Sequence, residues 1–399
     1  MSISGTRFQV VLVGPQLQAP ESRAALRATL RERIAELKLE HDTYLRIIEP
    51  QDTSELRAQV DFRAPLAVVY FGGPVQTPEA TAVVEALLKR AVFVLPVLTV
   101  PGRNRPQLPK VLHSIQAMPL SRQGPKLEGV AGWVLEELRL LSTHRAAFVS
   151  YCKAAARGVA DQLYHALMER SFDVFLDTCS LRSGEPWKES IWDHILGADV
   201  FVLIDTPGAL DQKWIKREFT RAQMLGAGVL QVLWPGHSRR PETEWCTLST
   251  LTAEDLVTKE DGEGAACLSE AALARILMAV ESLRARSLAA KRARVIAEVC
   301  KKVSRRGWAY QVQSPTRIDI CPPQAPANKP TRLFTVAGHP GSMDVQRVHD
   351  QGEAESDGLI YDSYGMLPTR ATHLQWLNQY LPLRLLPAQE VDTWLARLE

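Results

Sequence analysis

Hydrophobic and polar positions follow two rhythms in the first third of the chain. Short apolar runs, FQVVLVG (8–14), LRIIEP (45–50), LAVVYFGG (66–73) and AVFVLPVLTV (91–100), alternate with longer stretches in which apolar residues recur every three or four positions. The runs predict buried strands, and the stretches predict helices packed on them. One such stretch, 21–40, carries Leu26, Leu30, Ile34 and Leu37 on one stripe with Arg and Glu elsewhere. Strands fed by helices imply a parallel sheet covered on both faces through right-handed crossovers. Pro101, Pro106 and Pro109 then break regular structure, and GVAGWVLEELRLLS closes the unit near Ser142.

The pattern restarts at once with AAFVSYC (146–152), FDVFLD (172–177), ADVFVLID (198–205) and GVLQVLWP (228–235), again with helices between the strands. The stretch 252–267 reads as a polar surface loop, and 269–307 as helix-rich, long enough to close this unit and lead into another. In the last hundred residues TRLFTVAG, GLIYDSYG and PLRLLP predict strands, THLQWLNQYL and QEVDTWLARL predict helices, and CPPQAPANKP predicts a proline-rich loop. The resulting expectation is a multi-domain α/β protein with three domains: an N-terminal α/β domain at 1–143, a central one at 144–286, and a small α/β or α+β module at 287–399. No internal period marks a solenoid or propeller.

Composition narrows the class. With 399 residues, 46% hydrophobic and 23% charged, the chain is an ordinary globular protein, not collagen-like, coiled-coil or disordered. Lys+Arg 47 against Asp+Glu 45 gives a net charge of +2, so the whole chain is no electrostatic clamp for nucleic acid or an anionic membrane. The six cysteines form no C-x-x-C pair, which argues against a disulfide framework or a zinc site and fits a reducing cytoplasm. The start, MSISGTRFQVVLVGP, lacks signal-peptide character, and no apolar run approaches transmembrane length. A cytoplasmic protein without a membrane partner is therefore expected. The stretch 284–306 is locally basic, with Arg284, Arg286, Lys291, Arg292, Arg294, Lys301, Lys302, Arg305 and Arg306 against Glu298. It lacks interleaved aromatic residues, so a solvated face is expected there and nucleic acid is not.

The central unit carries an ordered set of motifs. FVSY (148–151) is followed by a helix, by FDVFLD ending in Asp177, and by a loop CSLRSGEPW with Gly184 and Trp187. Next come IWDHILGADVFVLIDTPGAL and KWIKREFTRAQMLGAGVLQVLWP, the latter with a Trp/Glu box at Trp214 and Glu218. In this order the motifs resemble a Toll/interleukin-1 receptor (TIR) domain of the bacterial kind, over roughly 144–286. The resemblance implies a flavodoxin-like parallel sheet.

It also implies one of two functions, homotypic scaffolding or cleavage of NAD+ at the nicotinamide–ribose bond, and the leading expectation is an NAD+ glycohydrolase effector of anti-phage defence. The alternatives are a non-enzymatic scaffold and a cyclase making a cyclic ADP-ribose-type messenger. Nicotinamide departs neutral from a cationic pyridinium, so one carboxylate suffices where ordinary glycoside hydrolysis needs two. By resemblance that carboxylate lies just past the Gly-containing loop, at Glu189 in WKESI, with Glu185 second. Four positions after Trp187 stands Ile191, a departure from the family's W-x-x-x-E spacing. The alternative reading makes both glutamates first-turn acids that favour a helix N-terminus. Ser150, Tyr151, Asp177, Gly184, Trp187 and Trp214 are the expected substrate-binding residues, the tryptophans doubling as candidate core anchors. His194 reads as a surface or packing residue. No cofactor or metal is implied, NAD+ being substrate, and the expected partners are NAD+, further copies of the chain on activation, and a protein or small-molecule activator. His339, Asp344, Asp362 and Tyr364 fall near strand ends of the last module, where turn formation and ligand binding explain them equally.

Overall fold

In a computed structural model, the structure describes residues 8–15, 20–62, 64–98, 107–120, 127–142, 144–176, 194–195, 197–224, 227–258, 266–323, 330–336, 338–351, 357–364, 366 and 368–397. The chain forms two compact units, Met1–Thr143 with Gln313–Thr316, and His144–Val312 with Arg317–Glu399.

In the first unit β1 (Phe8–Val13), β2 (Leu45–Ile48), β3 (Leu66–Gly72), β4 (Val94–Leu98) and β5 (Met118–Pro119) form a parallel sheet in the order β2-β1-β3-β4-β5. Between and after these strands run α1 (Pro20–Glu36), α2 (His41–Tyr44), α3 (Thr53–Gln59), α4 (Pro78–Leu88) and α5 (Glu128–Glu137). The stripe on α1 buries Leu26, Leu30 and Ile34, each contributing about 1.5–3 kcal/mol. α3 begins at Asp52, whose carboxylate accepts from the backbone N–H groups of Ser54 (2.7 Å) and Glu55 (2.9 Å). A buried ion pair, Arg33 Nη2 to Glu128 Oε2 at 2.6 Å, joins α1 to α5. Gly14 ends β1 at φ +115°, where a Cβ would stand 2.3 Å from the Phe71 carbonyl oxygen, so only glycine lets the two strand ends approach.

The second unit begins with β6 (Ala146–Tyr151), β7 (Asp173–Leu176), β8 (Val200–Asp205), β9 (Gly228–Leu233) and β10 (Thr247–Thr250), all parallel, in the order β10-β9-β8-β6-β7. Counted from the β7 edge this is second-first-third-fourth-fifth, the flavodoxin-like order, and the first unit repeats it. α6 (Lys153–Met168) and α7 (Lys213–Met224) lie among these strands. Alternation along β6 divides it between two cores: Val149 and Tyr151 join the α6 side, and Phe148 joins the α7 side. On the latter side Phe148 stacks on Phe175 (5.1 Å) and Phe201 (5.2 Å).

Within the stretch expected to be loop, β11 (Leu256–Thr258) and β12 (Ala266–Leu268) pair antiparallel. After it comes one helix, α8 (Glu270–Arg305), capped by Ser269, whose side chain accepts from Ala272 N. Its first half buries Ile276, Val280 and Leu283 against the β6–β10 sheet, while Val295, Val299 and Val303 enter the core of the last module. The 286/287 boundary therefore falls inside a helix that both parts share.

The last module holds β13 (Ala309–Ser314), β14 (Arg317–Cys321), β15 (Thr331–Thr335), β16 (Gly358–Tyr361) and β17 (Arg384–Pro387) in one sheet of that order. β14 and β15 are antiparallel, and β15, β16 and β17 are parallel. α9 (Ser342–Gln351) and α10 (Pro368–Leu377) cover one face through Val345, Val348 and Leu374. α8 and α11 (Val391–Leu395) cover the other.

The basic stretch 284–306 is not simply a solvated face. Arg284 is fully buried and donates from Nε to Asp199 Oδ2 (2.9 Å) and from Nη2 to the His144 carbonyl (3.1 Å). Arg294 pairs with Asp362, Lys302 Nζ donates to the Ala388 and Gln389 carbonyls (2.7 and 2.9 Å), and Arg306 donates to the Asp392 carbonyl (2.9 Å). These charges fasten α8 to the elements on either side. None of the described helices is long and apolar enough to cross a membrane.

Candidate functional site

In the flavodoxin-like order, the strand connections diverge beside the first strand, and ligands bind outside the carboxyl ends of the strands at that switch point. Here it lies at the ends of β6 and β8, which pair in the register Ser150 with Leu203 and Tyr151 with Ile204. Ser150 sits on the same face as Phe148, beneath α7, and is fully buried. Its Oγ donates to Glu218 Oε2 at 2.6 Å. Glu218 comes from the inner face of α7, between Ile215 and Phe219 in the packing of that helix, and is 3% exposed. Tyr151 points to the opposite face and is part of the core with Val149 and Val202.

At the start of α7 the Trp214 indole Nε1 donates to Gln212 Oε1 (2.9 Å), and Gln212 Nε2 lies 2.9 Å from Cys152 Sγ just beyond β6. Trp214 thus packs on the α7-side core and is tied through Gln212 to the end of β6. Asp205 ends β8 with no exposure and accepts from Gln231 Nε2 at 2.7 Å. Burial raises the Asp205 carboxyl above its ordinary range, opposed by the Gln231 hydrogen bond and by the nearby His237, whose Nε2 is 3.6 Å away. Arg239 Nε donates to Gln231 Oε1 (3.2 Å), and its Nη2 ties down the Thr243, Glu244 and Cys246 carbonyls at 2.7, 2.9 and 2.7 Å. Arg240 grips Asp211 with two bonds of 2.9 Å, joining the loop after β9 to the loop after β8. These bonds link the carboxyl ends of β8 and β9 and the loops that follow them, and Gln212 adds a contact to Cys152 after β6.

Residues 147–273 match the family model described as TIR domain. The middle of this chain carries a TIR domain. Solved structures add little: proximal thread matrix protein 1 from the mussel byssus is 10% identical, with 70% of this chain and 97% of that chain covered, at a TM-score of 0.20. The periplasmic sugar-binding protein of an ABC sugar transporter from Legionella pneumophila is 11% identical, with 61% and 88% covered, at a TM-score of 0.18. At such scores neither likeness bears on fold or function.

Within the TIR domain the structure brings Ser150 and Trp214 to the switch point and places Tyr151 in the core behind it. Asp177, Gly184, Glu185, Trp187 and Glu189 lie outside the described residues. His194 is exposed and lies against the Phe175 ring at 4.2 Å, a packing role. The residue that sequence reasoning left without a chemical role is Glu218. Its signal was present: Trp214 and Glu218 stand in the W-x-x-x-E spacing that is broken after Trp187. The Asp205–Gln231–Arg239 network was also missed, although a glutamine inside the apolar strand GVLQVL is the kind of buried polar residue that requires a partner.

In the last module, Asp344 caps the Gly341 N–H (2.9 Å) and Asp362 accepts from the Tyr364 N–H (2.9 Å), both turn duties. His339 lies 3.4 Å from the Tyr364 carbonyl, and burial lowers its pKa. Among the described residues no cluster of His, Cys, Asp and Glu is arranged to hold a metal ion.

Proposed function

We propose that the TIR domain of this chain is an NAD+ glycohydrolase whose acting carboxylate is Glu218. The observation that carries the reading is a buried carboxylate, oriented by Ser150 at 2.6 Å, at the switch point of a flavodoxin-like sheet inside the matched TIR region. The C1′–N bond breaks with its electron pair leaving on the nicotinamide nitrogen, which neutralises the pyridinium charge. Water then adds to C1′ and releases its proton to solvent, giving ADP-ribose. The only charge that develops on the sugar is positive, so a fixed carboxylate at the ribose supplies the stabilisation that matters, and low polarity around it strengthens the effect. In this reading Ser150 holds Glu218, the ribose hydroxyls donate to the same carboxylate, and Trp214 borders the bound ring. Assembly of further copies of the chain, on a protein or small-molecule cue, switches the enzyme on, and the reaction serves as an effector response that depletes NAD+.

Glu189 and Glu185 remain competing carboxylates. The separating experiment is nicotinamide release by Glu218→Gln, Glu189→Gln and Glu185→Gln. Loss of transition-state stabilisation costs about 3 kcal/mol, on the order of a hundredfold in rate. Loss confined to Glu218→Gln supports the assignment. Loss confined to Glu189→Gln or Glu185→Gln moves the catalytic role to the loop after β7, and no release by wild type under any assembly condition leaves a scaffold.

A further inference from the structure

The last module contains a cavity that the TIR domain does not use. It opens between α9 and α10 and encloses about 420 Å³, inside the range of about 300–1,000 Å³ for small-molecule sites. Val345, Leu374, Leu377 and Leu381 give it an apolar floor, while Arg370, His349, His373, Gln346 and Ser342 bring polar atoms to it. Among the described lining residues there is a fixed cation and no carboxylate. Arg370 is anchored, since one Nη2 donates to the Pro340 carbonyl at 2.9 Å, and a guanidinium so oriented presents the rest of its fork to an anion.

The second element is a ladder of rings. His373 lines the cavity and stacks 5.8 Å from Trp376, which in turn lies 4.9 Å from Tyr380. Trp376 is 49% and Tyr380 67% exposed, so no core requirement accounts for the row. Exposed aromatic rings beside a cation, with His373 and Trp376 stacked and Tyr380 tilted at 52° to Trp376, match a flat heterocycle that carries a negative charge. An inorganic anion alone would leave the leucine floor wet, and a neutral apolar molecule would leave the Arg370 fork without its counter-charge.

We propose that the cavity between α9 and α10 binds a nucleotide, with Arg370 holding the phosphate and the His373 end of the ring ladder meeting the base. The inference uses residues 340–381 alone and does not depend on what the TIR domain catalyses.

The test is calorimetric titration of the full-length protein with AMP, with adenosine and inorganic phosphate as separate probes. AMP binds saturably, and each half-probe binds about tenfold more weakly or worse, because each forfeits either the charge-assisted bonds or the stacking. Arg370→Ala weakens AMP about tenfold or more. Gln346→Glu, a change at an exposed position that leaves the melting temperature alone, does the same by placing a negative charge beside the phosphate. It decides the matter if Arg370→Ala disturbs folding. Glu218→Gln leaves the AMP isotherm unchanged. No AMP binding, binding indifferent to Gln346→Glu, or binding abolished by Glu218→Gln overturns the proposal.

Discussion

Replacing Arg284 by methionine tests how the TIR domain is fastened to α8. The Arg284 side chain has no exposure, and its partner Asp199 is 11% exposed at a separation of 2.9 Å, so neither charge is well served by water. Arg284→Met leaves Asp199 without its cation and the His144 carbonyl without its donor. Losing one member of such a pair costs about 3–5 kcal/mol, and about 2–4 °C of melting temperature accompanies each kcal/mol in a unit of this size. A fall on the order of 10 °C is expected in melting followed by tryptophan fluorescence and circular dichroism. Arg284→Met combined with Asp199→Asn removes both charges, and its loss should be smaller than the sum of the single losses because no uncompensated ion remains. Raising salt should not narrow the gap between wild type and variant, since the pair is shielded from counterions. A single-variant loss below about 1 kcal/mol, the value for a surface pair, or strict additivity in the double variant would refute the buried-pair argument.

Three further outcomes are expected. Because burial raises the Asp205 carboxyl, the folded protein binds that proton more tightly than the unfolded chain; the residue therefore costs stability at neutral pH, and the cost vanishes as pH falls through the raised value toward the ordinary range near about 4. Asp205→Asn, which keeps an oxygen for Gln231, should melt no lower than wild type at pH 7 and should flatten the pH dependence just above that range; a clear drop at pH 7 would contradict this. Gly14→Ala forces a Cβ toward the Phe71 carbonyl and should cost about 1–3 kcal/mol or more in thermal melts, whereas an unchanged melt would show that the strand ends are free to part. Burial pushes the Cys246 thiol up to about 12, so in an alkylation time course read by mass spectrometry it should lag the half-buried Cys321, and faster labelling of Cys246 would reverse the reading.

The parts of the fold legible in the sequence are those whose burial is written in apolar runs. FQVVLV, LAVVYFG, AAFVSY and VFVLID are buried along nearly their whole length, and each is a strand of a parallel sheet. Strands at sheet edges are less legible. β10, TLST, leaves alternate positions exposed, and β13, AYQVQS, is exposed at four successive residues, so neither carries a continuous apolar signal. The 36-residue span of α8 is legible as helix, but its shared duty is not, because it depends on which residues far along the chain meet its second half. At the site, the strand-end position of Ser150 is legible, while its contact with Glu218 requires the sheet register and the rotation of α7. KWIKREFTRAQM is so rich in charge that Glu218 reads as one more solvated acid, and only the Trp214 spacing and the apolar Ile215 and Phe219 around it mark the inner face. The buried arginines of α8 mislead in the same way, since a basic run looks identical in sequence whether its charges meet water or carboxylates.

The central claim is chemical, and one measurement addresses it most directly: chromatography of NAD+ incubated with the purified full-length protein, first dilute and then concentrated or crowded. The account predicts nicotinamide and an ADP-ribose product in equal amounts, at a rate that climbs more steeply than protein concentration and collapses in Glu218→Gln. Intact NAD+ at every concentration, or nicotinamide release that survives undiminished in Glu218→Gln, Glu189→Gln and Glu185→Gln alike, would contradict it.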